Sequence, residues 1–293
     1  MSAVAPALRL GPSTLGASVG PREQEIDARW LMAYSASLGE ANPRCFDTGA
    51  PAGPVAHPLF SVCYEWPLAV ELRETVIGGA IAPFSVHATH DLVIHRPPRA
   101  GDVLGTKAQV VEVRPVKAGA LVVVRFETVD RRGAPVTTTS YGSIYRGVGC
   151  DGPDPTPRPA PSLPPDAGAV RWEARVEVGA HLAHVYTECA RIWNPIHTDV
   201  AVARAAGLAG LILHGTATLA LAVSRLVEHD LDGDPTRVRG VAVRFTGMVP
   251  LPSTLVVRGR EAPDDREAPD DNVHFDAVDT AGQSLLGRGV LRR

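Results

Sequence analysis

The sequence predicts an α+β fold in which one unit, a long helix followed by a curled antiparallel sheet, occurs twice. Three observations carry this expectation. Two sets of Val- and Thr-rich segments are separated by Gly, Pro and Asp turns, and one helical stretch precedes each set. A proline-crowded segment, 150–168, divides the chain. The landmarks of the first half also recur in the same order in the second.

In the first half a helix is expected over about 59–72, followed by strands over 86–95, 103–113, 120–130 and 135–144. In the second half a helix over about 216–229 carries Leu219, Ala222, Val223 and Leu226 at helical spacing. Strands over 237–245, 254–260, 274–279 and 284–291 follow it. Each helix can bury its apolar stripe on the concave face of its sheet. Joining the two sheets edge to edge would cover two exposed edges. The acidic run Glu261–Asp271 reads as a solvated hairpin loop.

The repeat rests on paired landmarks. Glu40-Ala41-Asn42-Pro43 corresponds to Ile192-Trp193-Asn194-Pro195 at an offset of 152 residues. Pro98 and Pro250, each opening a strand entry, are separated by the same 152 residues, whereas His57 and His214 are 157 apart. Proline removes a backbone donor and restricts the residue before it, so 150–168 reads as an extended, semi-rigid linker. The expected organisation is a degenerate unit over 1–149, the linker, and a unit over 169–293 that carries the site.

Composition narrows the function. The 293 residues are 45% hydrophobic and 21% charged with a net charge of −3, an ordinary globular balance without the basic stripe that nucleic acid requires. Cys45, Cys63, Cys150 and Cys189 form no C-x-x-C pair and no zinc spacing, and read as free thiols in a reducing compartment. The first twenty residues lack a secretory pattern, and no apolar run is long enough to span a bilayer. A cytoplasmic protein with no membrane partner and no cofactor is expected. His87, His90 and His95 look like a metal cluster, but strand alternation would place His87 and His90 on opposite faces. No metal site is expected. Trp66 and Trp172 read as packing residues, and Trp193 as packing or as a wall of a substrate pocket.

The chemistry concentrates in 186–215. Asn194-Pro195 ends the helix begun near Leu182, which places His197 on a short loop before a second helical run that Thr198 or Asp199 can cap. His214-Gly215 opens the long helix, whose first N–H groups carry partial positive charge. That is a natural place to hold a thioester carbonyl as it becomes an enolate. An imidazole and an oxyanion donor would thus converge.

Asn194-Pro195-Ile196-His197-Thr198-Asp199, then Ala205-Ala206-Gly207 and Leu213-His214-Gly215, with Tyr186 ahead of them, resemble the signature of MaoC-like, R-specific enoyl-CoA hydratases. The resemblance is close over the C-terminal half and looser over the first, where HRPPRAGDVL is similar to the family's strand entry. It implies a double-hotdog fold and hydration or dehydration at the α,β-position of an acyl thioester. The carrier would be coenzyme A or an acyl-carrier-protein arm. It further implies that His197 is the general acid/base and that the Gly215 amide polarises the carbonyl. Asn194 is expected to turn the chain or to contact substrate, and His214 to be structural.

In that family an aspartate five residues before the histidine completes the pair; here that position is Ile192, and Ser-Gly-Asp is replaced by Ala190-Arg191-Ile192. The matching positions of the first half are Glu40 and Cys45, so each half holds half of a dyad. Three repairs are open: Glu188 reaching over Ile192 from the helix, Glu40 approaching from the other half, or His197 acting alone as base and then acid. Other readings are a specialised dehydratase or cyclase, a thioesterase, or a non-catalytic acyl-binding subunit. The edge strands make a homodimer an open expectation.

Overall fold

The structure, a computed structural model, describes residues 8–150, 168–262 and 271–293. All but the ends of the 150–168 linker, and the middle of the acidic run, lie outside the described residues. The first half contains β1 (Arg9–Leu10), β2 (Ser18–Glu25), α1 (Ala28–Ser37), α2 (Ser61–Leu72), β3 (Ser85–Ile94), β4 (Val103–Val116), β5 (Gly119–Asp130), β6 (Pro135–Arg146) and β7 (Gly149–Cys150). The second contains β8 (Val170–Val178), α3 (Leu182–Ala190), α4 (Val200–Ala205), α5 (Gly215–Asp230), β9 (Gly240–Phe245), β10 (Ser253–Arg260), β11 (Val273–Val278) and β12 (Ser284–Arg292). Cys150, expected to open the linker, instead pairs with Leu10 in the short parallel ladder of β1 and β7.

The remaining strands form one antiparallel sheet in the order β2-β4-β5-β6-β3-β9-β12-β11-β10-β8. The order reads the same outward from the β3–β9 junction, so the topology is that of two copies of one unit joined edge to edge. The junction runs from Thr89 opposite Arg244 to Val93 opposite Gly240, and Arg292 at the end of β12 adds an ion pair to Asp91 of β3.

Helices α2 and α5 bury their apolar faces on the sheet, as alternating strands with one apolar face require. One core cluster runs through both halves, with Leu59, Phe60 and Tyr64 of the first packed with Tyr186, Leu219, Leu226 and Phe275 of the second, and a second cluster around Leu68, Leu72 and Phe126 lies within the first half. Helices α1 and α3 meet across the pseudo-symmetric centre, where the Tyr34 and Tyr186 rings lie 5.7 Å apart. Asp27 caps α1 by accepting from the Trp30 N–H at 2.7 Å, and Asp199 caps α4 by accepting from Ala201 and Val202 at 2.8 and 3.2 Å. No helix among the described residues is long and apolar enough to cross a membrane.

Gly240 marks how tightly the halves close. A Cβ there would stand 2.5 Å from the Leu92 carbonyl oxygen of β3 and 2.9 Å from the Arg292 side chain. Replacement by valine forces the junction strands apart. Gly240→Val is expected to lower unfolding free energy by about 1–3 kcal/mol, read from the urea midpoint at unchanged m-value.

Candidate active site

A cavity of about 180 Å³ opens between the halves. The second half contributes Ile192, Asn194, His197, His214 and Gly215; α2 contributes a stripe of Val62, Glu65, Trp66 and Ala69, continued by Arg73 just after it; and β3 and β6 add His87 and Tyr141.

The loop that carries His197 is set by the end of α3. Arg191 takes a left-handed conformation (φ 58°, ψ 35°), and the Ile192 N–H reaches back to the Thr187 carbonyl at 3.0 Å, closing the helix in a Schellman-type turn. Glycine is the residue suited to this geometry. Here arginine adopts it, with its guanidinium 4.0 Å from the centre of the Trp30 ring. The turn aims Ile192 inward, at 3% exposure. Trp193, which the sequence offered as a cavity wall, is 65% exposed and lies outside the cavity. The chain is extended on leaving the turn, so successive side chains point to opposite sides, and Asn194 again lines the cavity.

Pro195–His197 form a single 3₁₀ turn, and the His197 N–H closes on the Asn194 carbonyl at 3.1 Å. The His197 ring is 8% exposed, and its Nδ1 lies 2.9 Å from the Ile212 carbonyl oxygen. A carbonyl only accepts, so Nδ1 carries the proton and Nε2 is the free, basic nitrogen. Burial pulls the imidazole down to about 4, opposed by the Ile212 carbonyl. His214 stacks on His197 with ring centres 3.8 Å apart, its Nε2 lies 3.3 Å from Thr187 Oγ1, and burial holds it well below its ordinary range. The Tyr186 ring lies 5.0 Å from that of His214, and its hydroxyl donates to Thr216 Oγ1 at 3.1 Å. These contacts fix the loop to the start of α5.

Gly215 is the first residue of α5, beside the cavity, where helical N–H groups have no intrahelical partner. A Cβ on Gly215 would meet the Phe245 ring at 3.3 Å and His87 Nδ1 at 3.6 Å. The absence of a side chain therefore leaves room for a ligand atom at the helix terminus.

The remaining acids expected near His197 are elsewhere. Glu188 is exposed on α3 and does not line the cavity. A residue four before Ile192 would share its side only on a continuous helix; the left-handed turn at Arg191 breaks that relation. Glu40 accepts the Asn42 N–H at 2.9 Å in its own turn and lines a separate depression with residues of α5 and its C-terminal turn. Asn42 Nδ2 donates to the Gly233 carbonyl at 2.6 Å and Arg44 pairs with Asp234 at 3.1 Å, which ties this turn to the far end of α5. The histidine equivalent to His214, His57, spends its Nε2 on Ser224 Oγ at 3.2 Å. The first-half counterparts of the site residues are thus engaged in structural contacts.

Two cavity residues had escaped the sequence reading. Strand alternation separates His87 from His90, but a bulge between His87 and Thr89 resets the alternation and brings the two rings to 5.5 Å. His87 stacks on Tyr141 at 3.7 Å, and its buried Nε2 has no hydrogen-bond partner among the described residues. Glu65 is 3% exposed, accepts from Thr139 Oγ1 at 2.6 Å, and is pushed by burial up to about 8. Its only sequence signal is that it is the one acid within LFSVCYEWPLAV, an otherwise apolar stretch.

Comparisons with known proteins agree with this architecture. Residues 170–276 match the MaoC like domain, and residues 13–139 match the FAS1-like, dehydratase domain region. A probable enoyl-CoA hydratase 2 of Dictyostelium discoideum is 25% identical over 65% of this chain and 66% of its own length, so the match spans slightly under two thirds of that relative. The 3-hydroxyacyl-thioester dehydratase X of Mycobacterium tuberculosis is 25% identical over 80% of this chain and 81% of its own. The crystal structure of a MaoC-like dehydratase from Phytophthora capsici superposes with a TM-score of 0.80 at 21% identity, covering 95% of each chain.

The buried imidazoles make stability pH-dependent. His57, His90 and His197 are each pulled by burial from the ordinary 6.5 to about 4, and burial also holds His87 and His214 well below 6.5. A histidine depressed in the fold contributes stability that is full above its unfolded value and is lost as pH falls toward its folded value. Glu65, raised in the fold, acts in the opposite direction over 4.5 to about 8, but it is one group against five. Melting temperature is expected to fall steadily from pH 6.5 to pH 4, with His90→Leu losing less than wild type.

Proposed function

Because this chain belongs to the MaoC-like dehydratases of double-hotdog fold, we propose that it adds water to, or removes it from, the α,β-position of an acyl thioester. One observation carries the reading: His197 Nδ1 is held on the Ile212 carbonyl, which leaves Nε2 free in the cavity that the first turn of α5 also lines. The named activities of the relatives, an enoyl-CoA hydratase and a 3-hydroxyacyl-thioester dehydratase, support it.

In the hydration direction the thioester oxygen accepts from the Gly215 N–H, at the positive end of α5. Neutral His197 takes a proton from water as the water oxygen bonds to the β-carbon. Asn194, on the same cavity wall, orients the water or the thioester. The first half supplies the rest of the acyl pocket through α2 and β3. The division into 1–149 and 169–293 then separates a half that shapes the pocket from a half that carries the base. The carrier is coenzyme A or the arm of an acyl-carrier protein. A cytoplasmic location and a homodimer complete the proposal, the first resting on four free cysteines.

Ile192 is the observation that favours a second reading, since it stands where the family's pair needs a carboxyl group. On that reading the chain is a non-catalytic acyl-binding subunit, or a specialised dehydratase, cyclase or thioesterase.

Hydration of a short and a medium trans-2-enoyl-CoA, followed by loss of enoyl absorbance, separates these. Wild type is expected to turn over, and His197→Ala to lose about 100-fold or more in kcat/KM. Gly215→Val, which fills the helix terminus, is expected to raise KM and lower kcat together. Acyl-CoA binding without turnover of any enoyl thioester supports the binding reading.

A further inference from the structure

The cavity's acid comes from the half that does not carry His197. Among the described residues that line it, Glu65 is the one carboxyl group. It stands on the face of α2 that meets the cavity, where Val62, Glu65, Trp66 and Ala69 follow helical spacing. Thr139 of β6, a neutral hydroxyl, holds one of its oxygens at 2.6 Å, and no cation among the described residues offsets its burial. A carboxyl group in such a place keeps its proton at neutral pH. An apolar side chain would fill this helix position without the desolvation cost that glutamate carries. Ile192, standing where the resemblance implies an acid, lines the same cavity.

We propose that Glu65 is the second proton carrier of the reaction, contributed by the first half in the role that a carboxyl group at position 192 would have filled. The proposal rests on the hydratase reading. In hydration, His197 Nε2 takes a proton from water as the water oxygen bonds to the β-carbon. The π-electron pair passes through the α-carbon to the thioester oxygen. The enolate then collapses back to the carbonyl as the α-carbon takes the proton of the Glu65 carboxyl group. Imidazolium and carboxylate remain, and transfer of one proton from His197 to Glu65 through cavity water restores both. Dehydration runs the same steps backwards, with Glu65 entering as carboxylate and His197 as imidazolium.

The two groups suit these roles at neutral pH, since burial holds His197 at about 4 and Glu65 at about 8. The other titratable groups facing the cavity do not titrate near these limits on the alkaline side. Tyr141 is pushed up to about 12, and His87 and His214 lie well below neutrality. Arg73 also lines the cavity, its guanidinium 4.4 Å from the centre of the Trp66 ring.

The test is the pH dependence of kcat/KM for trans-2-enoyl-CoA hydration by wild type, Glu65→Gln and Glu65→Asp, with infrared difference spectra of the carboxyl region at neutral pH. Wild type is expected to lose activity as pH rises through about 8, as Glu65 gives up its proton. Glu65→Gln should fall by about 100-fold or more with no alkaline limb left, and Glu65→Asp should recover part of the loss together with the limb. The carbonyl stretch of a buried protonated carboxyl group should be present in wild type and absent from Glu65→Gln. An active wild type with an undiminished Glu65→Gln, or an ionised Glu65 in the infrared spectrum, overturns this proposal alone. A wild type inert on every enoyl thioester overturns the hydratase reading and this one with it. Should Glu65→Gln fail to fold, Glu65→Asp and the wild-type spectrum still decide the matter.

Discussion

The pairing of β3 with β9 is the interaction on which the site depends. It is the one ladder that joins the two halves of the large sheet, and it sets the position of α2 relative to His197 and Gly215. Register matters because strand side chains alternate between faces. A slip of one residue would turn His87 away from Phe245 and from the start of α5, next to which it now lies. The Asp91–Arg292 ion pair and the close approach at Gly240 hold that register at the same end of the junction. The shared core then follows, since α2 and α5 can pack against one another's surroundings only when the sheets are continuous.

Duplication explains why the halves have diverged without loss of fold. Both units keep the helix-and-sheet core, and both keep a histidine immediately before the long helix. In the first unit that histidine is tied to Ser224, Tyr34 donates to the Leu59 carbonyl at 3.4 Å, and Cys45 takes the place equivalent to His197. Burial pushes the Cys45 thiol up to about 11, so it is neither a nucleophile nor a base at neutral pH. The polar groups of α2 and β3 in the first unit face the cavity of the second. Those groups carry a stability penalty, which is the usual signature of residues retained for function and not for packing.

Much of this was legible in the sequence. Val- and Thr-rich runs between Gly, Pro and Asp turns located the inner strands, helical spacing supported α5, and the repeated landmarks gave the pseudo-symmetry. The outer strands β2 and β8 were missed because their residues are mostly exposed and charged, such as Arg22, Glu23 and Glu25, as suits unpaired edges. The loop motif placed His197 and Gly215 in one small volume, since both lie within a single local stretch. Contacts between the halves had no such local signal. Glu65 lies more than a hundred residues from His197 in sequence, and only the sheet junction brings it to the same cavity. His87 was misread because a bulge adds a residue on one side of the ladder, and alternation cannot register that.

Ile192 changes meaning in this setting. A carboxylate packed against His197 would favour the charged imidazole, raising its pKa and pairing the two groups as a unit. Isoleucine does the reverse: it helps keep the pocket around His197 apolar, and the imidazole stays neutral with a free lone pair. A partner acid on the same loop would then be lost, but an acid on another wall need not share protons with the base in the resting state. Two separated groups with opposite burial shifts hold one proton in the right place, on Glu65, and leave the right site empty, on His197. Ile192 beside His197 and a lone buried glutamate on α2 are then, on the proposed mechanism, two sides of one arrangement, in which base and acid are divided between the halves.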